Sequence, residues 1–334
     1  MTSKNITVLI PQPIRKEAVN ILENKGYNVI QPDDDSRKNI ASLIDKSEAV
    51  ILRSGIKMDK ELMENAENLM TISRTGAGVD NIDLIEATRK GVIVTSSLGV
   101  NTSSVAEHCL TLILNLYKQI PLLDRNVREN NFAIRYENHP QDIKNKILGV
   151  VGFGRIGRKV ADFFQKISRE NTLVYDPYLS EAEKENYQDR FDFLSLEKVL
   201  SNSDIVSLHV PLTDDTYHLI TKRHFEIMKR EAYIVNVSRG DVIKEDDLIL
   251  ALEEDLIAGA GLDVFSSEPP KENNPLLNME NVILTPHAAA LTEECVVNMA
   301  TEAVKRAIDV LEGEKPAKIA NPEVIEQKRW KDLR

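Results

Sequence analysis

The chain is poor in the features that mark several protein classes. It has two cysteines, Cys109 and Cys295, among 334 residues. That leaves no disulfide framework and no ligand spacing for a metal, and it fits a reducing compartment. No apolar run nears the length of a membrane span, and the opening Met1-Thr-Ser-Lys-Asn enters an apolar segment without a signal-peptide pattern. Positive charge is scarce too, 42 Lys and Arg against 53 Asp and Glu, for a formal net charge of −11. Such a balance argues against nucleic acid or an anionic membrane surface as partner. What remains is a cytoplasmic globular protein whose length suggests two domains, each able to bury its own core.

Glycine, by contrast, is concentrated where it carries information. Residues 147–176 hold an apolar run, then Gly152-Phe-Gly154-Arg-Ile-Gly157, a helical pattern, a second apolar run and Asp176. That order is what a dinucleotide-binding unit requires. Gly152 permits a tight turn, Gly154 lets a diphosphate approach the backbone, and Gly157 lets helix and strand pack closely. The amides of Arg155 and Ile156 open the helix and face the phosphates. Asp176 ends the next strand, where its carboxylate accepts both ribose hydroxyls of NAD and repels the extra phosphate of NADP.

Strands are expected over 6–10, 27–30, 49–53, 69–74 and 92–96, and helices over 14–25, 37–46, 59–65 and 82–90. The alternation predicts a parallel sheet covered on both faces. The segment 103–119 is apolar on more than one side and is expected to be buried between domains or subunits. Residues 125–146 read as a polar connection. A second block has six strands, over 148–152, 173–176, 205–210, 233–237, 258–263 and 282–284, with helices over 161–168, 196–201 and 245–253. A last helix spans about 292–313. The economical arrangement returns it to the first domain. Two doubly wound α/β domains follow: a discontinuous substrate domain, 1–101 plus 291–334, and a dinucleotide domain, 102–290, with the active site in the cleft between them.

Three strands of the second block end in unusual polar residues: Tyr233-Ile-Val-Asn-Val-Ser leads to Arg239, Gly261-Leu-Asp263-Val-Phe-Ser-Ser to Glu268, and Val282-Ile-Leu-Thr-Pro to His287. Carboxyl ends of parallel strands are where such sheets bind ligands. The set suits hydride transfer at a 2-hydroxy or 2-oxo acid. Arg239 holds the substrate carboxylate and polarises the carbonyl. His287 exchanges a proton with the substrate oxygen. Glu268 orients the imidazole and favours its protonated form. Asp33-Asp-Asp is a solvated turn, and Cys109 is core. His108 and His209 are expected near domain contacts, His209 within reach of the cofactor. His139, His218 and His224 are expected at the surface or in loops.

Together with Arg74-Thr-Gly-Ala-Gly-Val-Asp-Asn-Ile-Asp and Val105-Ala-Glu-His, these motifs make the chain resemble the D-isomer-specific 2-hydroxyacid dehydrogenases over nearly its whole length. The resemblance implies a flavodoxin-like substrate domain and a Rossmann NAD domain. It implies an NAD-dependent enzyme, a homodimer built through the cofactor domains, and Arg239, Glu268 and His287 as the catalytic set. It implies that His209, Val210, Pro211, Val237, Ser238, Asp263 and Ala289 line the cofactor site, Asp263 near the nicotinamide carboxamide.

Arg53-Ser54-Gly and Arg74-Thr-Gly76-Ala77-Gly78 put an arginine at two strand ends facing the cleft, and Arg135 adds a third. The three resemble basic positions of the 3-phosphoglycerate dehydrogenases, where a dianionic phosphate rewards each added charge-assisted pair. The competing expectation is that Arg53 and Arg74 pair with acidic neighbours and support their loops. Ser96-Ser-Leu-Gly-Val-Asn-Thr-Ser-Ser departs from the usual Pro-Gly-Ala-Asn form, Phe132 stands near where many relatives carry Trp, and no regulatory domain is expected after residue 334. Glyoxylate, hydroxypyruvate, pyruvate and branched-chain 2-oxo acids are the other candidate substrates. A different class is an NADH sensor like the C-terminal-binding-protein corepressors, which share the Arg, Glu and His; the lack of a partner-binding tail favours an enzyme. Formate dehydrogenases typically carry Gln where Glu268 stands.

Overall fold

The computed structural model describes residues 6–64 and 66–334. Residues 1–5, which bear on the signal-peptide reading, and Asn65, the last residue of the helix expected over 59–65, lie outside the described residues. The chain forms two compact units, Met1–Asn101 with Leu291–Arg334, and Thr102–Ala290.

In the first unit, strands β1 (Thr7–Leu9), β2 (Asn28–Ile30), β3 (Ala49–Leu52), β4 (Thr71–Arg74) and β5 (Ile93–Ser96) form a parallel sheet in the order β2-β1-β3-β4-β5. This is the flavodoxin-like order. Side chains alternate between two cores, as the pleat requires. Leu9, Val50, Leu52, Ile72 and Val94 pack with Ile40, Ile44 and Leu62. Val8, Ile10, Ala49 and Ile51 face the opposite way, onto Ala18 and Leu22 and onto Ala300, Ala303, Val304 and Ala307. Those last four belong to the helix Glu293–Leu311, so the end of the chain returns to cover this sheet. Its small residues allow close approach, and Ser73 Oγ donates to the Ala303 carbonyl at 2.7 Å. The residues beyond it close the edge at β5. Asn321 accepts from the Val94 amide and donates to the Val92 carbonyl, and Trp330 Nε1 donates to Gly91 O, each at 2.9 Å.

In the second unit, β6 (Leu148–Val151), β7 (Thr172–Tyr175), β8 (Phe191–Phe193), β9 (Ile205–Leu208), β10 (Tyr233–Asn236), β11 (Gly259–Leu262) and β12 (Val282–Leu284) form a parallel sheet in the order β12-β11-β10-β9-β6-β7-β8. From β8 to β11 this is the doubly wound dinucleotide order, with β12 added. The expected six strands become seven. The missing one, β8, is a three-residue edge strand, too short to show alternation, anchored by rings of Phe153 against Phe191 and Phe193.

Four other expectations change. The polar connection over 125–146 contains the end of a helix, Ile120–Arg128, and a further turn, Ile134–Glu137. Neither helix has a buried residue, so no core-facing stripe betrays them. The helices Glu181–Glu185 and Lys222–Phe225 were not expected. The buried face of the apolar helix Thr102–Lys118 lies within the second unit, where Val105, Cys109, Leu112 and Leu116 join one core with Val150, Val160 and Val235. His224 is buried, not superficial: its Nδ1 accepts from the Thr221 amide at 3.1 Å and caps Lys222–Phe225. Burial lowers its pKa. Among the described residues, no helix is long and apolar enough to cross a membrane.

Packing against β6 is tight enough to test. A Cβ at Gly149 would lie 2.3 Å from Ser203 Oγ and 2.7 Å from Val199 Cγ1. Ser203 is fixed by donating to the Val199 carbonyl at 2.6 Å. Gly149→Ala is expected to cost about 1–3 kcal/mol, read as a lower urea midpoint. An unchanged midpoint would mean that the helix carrying Val199 gives way freely.

Candidate active site

The glycine turn lies where β6 passes into the helix Arg155–Ser168. Gly152 has φ +93°, a left-handed conformation that suits glycine. A Cβ at Gly157 would lie 2.1 Å from the Gly152 carbonyl oxygen, so helix and turn touch backbone to backbone. At Gly154 a Cβ would meet nothing within 4 Å. The outer two glycines answer packing, and the middle one faces open space. Gly154 is also the helix N-cap and places no side chain on the first-turn amides, among them those of Arg155 and Ile156. Open amides at a helix start, with a cradle that a Cβ would fill, fit a dinucleotide diphosphate.

Asp176, just past β7, accepts from the Phe153 amide at 2.8 Å and from the Tyr178 amide at 3.0 Å. Its carboxylate therefore stands beside the glycine turn. Across β6 from it, β9 runs into His209, Val210 and Pro211. The backbone of His209 lies against Gly152, where a Cβ would come within 2.8 Å of it. The His209 ring points to Ser207, with Nε2 2.7 Å from Oγ, and Ser207 Oγ is 3.0 Å from Cys109 Sγ. The imidazole expected within reach of the cofactor thus engages Ser207, and its backbone borders the turn. Its Nδ1 is buried without a partner, and burial pushes the ring pKa down to about 3.

Strands β10, β11 and β12 are neighbours in the sheet, so their carboxyl ends bring Arg239, Asp263 and His287 side by side. His287 Nδ1 lies 2.7 Å from Glu268 Oε2. Burial works to raise the Glu268 pKa, but the hydrogen bond and charge of His287, the Phe265 amide and nearby Arg239 outweigh it and hold it below the usual carboxylate value. Glu268 is thus ionised at neutral pH. The turn bearing Arg239 is organised by Asn236, which accepts from the Ser238 amide at 3.0 Å and donates to the Arg239 carbonyl at 2.8 Å. Val237 and Ser238 are buried there. A Cβ at Gly240 would lie 2.0 Å from the Phe265 backbone, so the arginine turn rests on the loop that leads to Glu268.

Asp263, just past β11, turns its side chain inward. Its side chain is 1% exposed. The carboxylate accepts from Thr285 Oγ1 at 2.6 Å and from the amides of Ala288 and Ala289 at 2.8 and 2.9 Å. It holds the loop that carries His287. Asn236, Thr285 and His108 were not singled out from the sequence as site residues. A polar residue inside an apolar strand, as at Asn236, was the available signal.

In the first unit, Arg53, Ser54 and Arg74 share a cleft of about 430 Å³ with Arg15, Ile14 and Met299. Arg53 Nη1 donates to the Pro13 carbonyl at 3.0 Å, and Arg74 Nε to Asn81 Oδ1 at 3.3 Å. Asn81 also donates to the Arg53 carbonyl at 3.0 Å, which ties the two arginine loops together. Gly76 is required by Arg74, whose Nη1 would lie 1.7 Å from a Cβ there. Ala77 and Gly78 continue that turn, half-buried. Arg15, not anticipated, pairs with Glu293. Arg135 belongs to the second unit, exposed, with its guanidinium 4.9 Å from the Tyr136 ring centre and 5.5 Å from that of Phe132.

This arrangement has known counterparts. Residues 110–289 match the family described as D-isomer specific 2-hydroxyacid dehydrogenase, NAD binding domain. The chain is 38% identical to the D-3-phosphoglycerate dehydrogenase of Archaeoglobus fulgidus over 87% of its length, but spans only 55% of that relative. It is 37% identical to the glyoxylate reductase of Thermofilum pendens, with 96% of this chain and 94% of that one covered. The crystal structure of D-lactate dehydrogenase from Aquifex aeolicus, complexed with NAD and lactic acid, superposes with a TM-score of 0.81 at 29% identity, covering 96% and 97% of the two chains. With an NAD-binding domain matched over more than half its residues and a relative 37% identical aligned over 94% of its own length, the chain belongs to the D-isomer-specific 2-hydroxyacid dehydrogenase family, and with it to the NAD-dependent oxidoreductases of the CH–OH group.

Proposed function

We propose that this chain interconverts a 2-oxo acid and its D-2-hydroxy acid, and that the favoured pair is 3-phosphohydroxypyruvate and D-3-phosphoglycerate. The observation that carries the first part is the Glu268–His287 pair beside Arg239, at neighbouring strand ends on the same edge of the sheet as the glycine turn. Because Glu268 occupies Nδ1, Nε2 is the nitrogen that gives the substrate oxygen its proton in reduction and takes it back in oxidation. The guanidinium of Arg239 holds the substrate carboxylate. Bound NAD(H) supplies or takes up the hydride. Asp176 selects the ribose diol of NAD, with Arg155, Ile156, Val210, Pro211, Val237, Ser238 and Ala289 bordering the cofactor. The second unit is then the NAD domain and the first the substrate domain.

The substrate preference rests on the cleft where Arg15, Arg53 and Arg74 lie together. Three guanidinium groups suit a second anionic group on the acid. Reduction of glyoxylate is the second reading, supported by the glyoxylate reductase likeness over nearly all of both chains. A homodimer through the second unit suits the helix Ile120–Arg128, where Ile120 and Val127 are 53% and 52% exposed. A cytoplasmic setting suits two buried free thiols.

Three measurements examine this reading. Gly154→Val is expected to leave the thermal midpoint unchanged, since its side chain enters open space, while NADH no longer binds in a fluorescence titration; retained binding would count against the diphosphate site. Glu268→Gln removes the anionic partner that fixes Nδ1, so kcat for 2-oxo acid reduction at neutral pH is expected to fall about tenfold or more, and an unchanged kcat would refute its role. Arg53→Ala is expected to raise KM for 3-phosphohydroxypyruvate by about tenfold, one lost charge-assisted pair, and to spare glyoxylate. Equal effects on both acids would favour glyoxylate.

A further inference from the structure

His287 has φ +50°, in the left-handed region that a residue with a Cβ adopts at some cost. Something must hold it there. The His287 amide donates to the Asp263 carbonyl at 2.7 Å. The next two amides, of Ala288 and Ala289, each donate to a different oxygen of the Asp263 carboxylate. One buried aspartate therefore grips three successive peptide units around the histidine.

A carboxylate that is 1% exposed is itself stable only if its own geometry is fixed by further donors. Those donors come from Thr285 and His108. Thr285 Oγ1 lies 2.6 Å from Asp263 Oδ1, and a carboxylate only accepts, so the threonine proton points there. His108 Nε2 lies 3.0 Å from Thr285 Oγ1 and 3.5 Å from Asp263 Oδ1. With the threonine proton committed, its oxygen accepts, and His108 Nε2 must carry the hydrogen. Donation thus runs His108 to Thr285 to Asp263, and the loop amides reach the same carboxylate from the other side. His108 stands on Thr102–Lys118, a helix held in the core through Val105, Cys109 and Leu112.

We propose that His108 and Thr285 are positioning residues for His287: they tie the strained histidine loop, through Asp263, to a rigid helix. The bracket sets where the imidazole stands, and Glu268 sets which way its ring faces. This inference rests on the catalytic role proposed for His287.

The test is steady-state kinetics with NADH and the best 2-oxo acid, beside NADH titration and thermal melting. Thr285→Val is expected to lower kcat about 10- to 100-fold, the scale of a small misplacement of a reacting group, with KM and NADH affinity near wild type. Thr285→Ser, which keeps the hydroxyl, is expected to restore most of kcat. His108→Ala, at a side chain 23% exposed, opens the same bracket without emptying the core and serves if the valine variant folds poorly. The double variant is expected to be no slower than Thr285→Val alone, because both break one chain of bonds. Variants that melt earlier but turn over at the wild-type kcat, or Val and Ser variants equally slow, would overturn the proposal. His287→Ala in the same series separates the two ideas: full turnover there would remove the role of His287 itself.

Discussion

The grip of the Asp263 carboxylate on the loop after β12 is the constraint on which the candidate active site depends. Almost wholly buried, this polar group is tolerated because every donor around it is fixed by the fold. It joins the end of β11, which it follows, to the turn after β12 and to the helix Thr102–Lys118. Arg239 and Glu268 are attached to the same frame by backbone contact, since Gly240 rests on Phe265 with no room for a side chain between them. The reacting groups are therefore supported by interlocked turns, each braced by a buried polar side chain.

The cofactor end obeys a simpler rule. Backbone must approach backbone where β6 turns into its helix, and the glycines at 152 and 157 permit it. The contact leaves the first-turn amides uncovered. Packing economy and anion recognition thus arise from one feature: residues without side chains bring the helix start close to the strand and leave its positive end accessible. The first unit follows the same doubly wound logic with a different device, a helix from the far end of the chain whose alanines let it lie on the sheet.

Much of this was legible in the sequence, for physical reasons. Strands buried on both faces must be short apolar runs, as at 49–52 and 148–151, and such runs stand out. The glycine spacing and the Arg, Glu and His at strand ends were visible because those residue types are unusual there. What escaped was structure without a local signature. Phe191-Asp-Phe is too short to show a period. Ile120–Arg128 buries nothing. Thr285 and His108 look ordinary until the fold brings them together from 177 positions apart. The inward turn of the Asp263 carboxylate was hidden for the same reason: its donors lie in segments that only tertiary structure makes adjacent.

The two amides on Asp176 have a consequence of valence. A carboxylate has roughly four acceptor sites, two on each oxygen. Phe153 takes one on Oδ2 and Tyr178 one on Oδ1. One vacancy remains on each oxygen, and each can be filled only by a donor. A vicinal diol brings two donors at matching separation; a phosphate dianion brings none and adds repulsion. In the role proposed for Asp176, the fold, by fastening this side chain to its own backbone, would turn a general acceptor into a counter that admits two hydroxyls and refuses a charge.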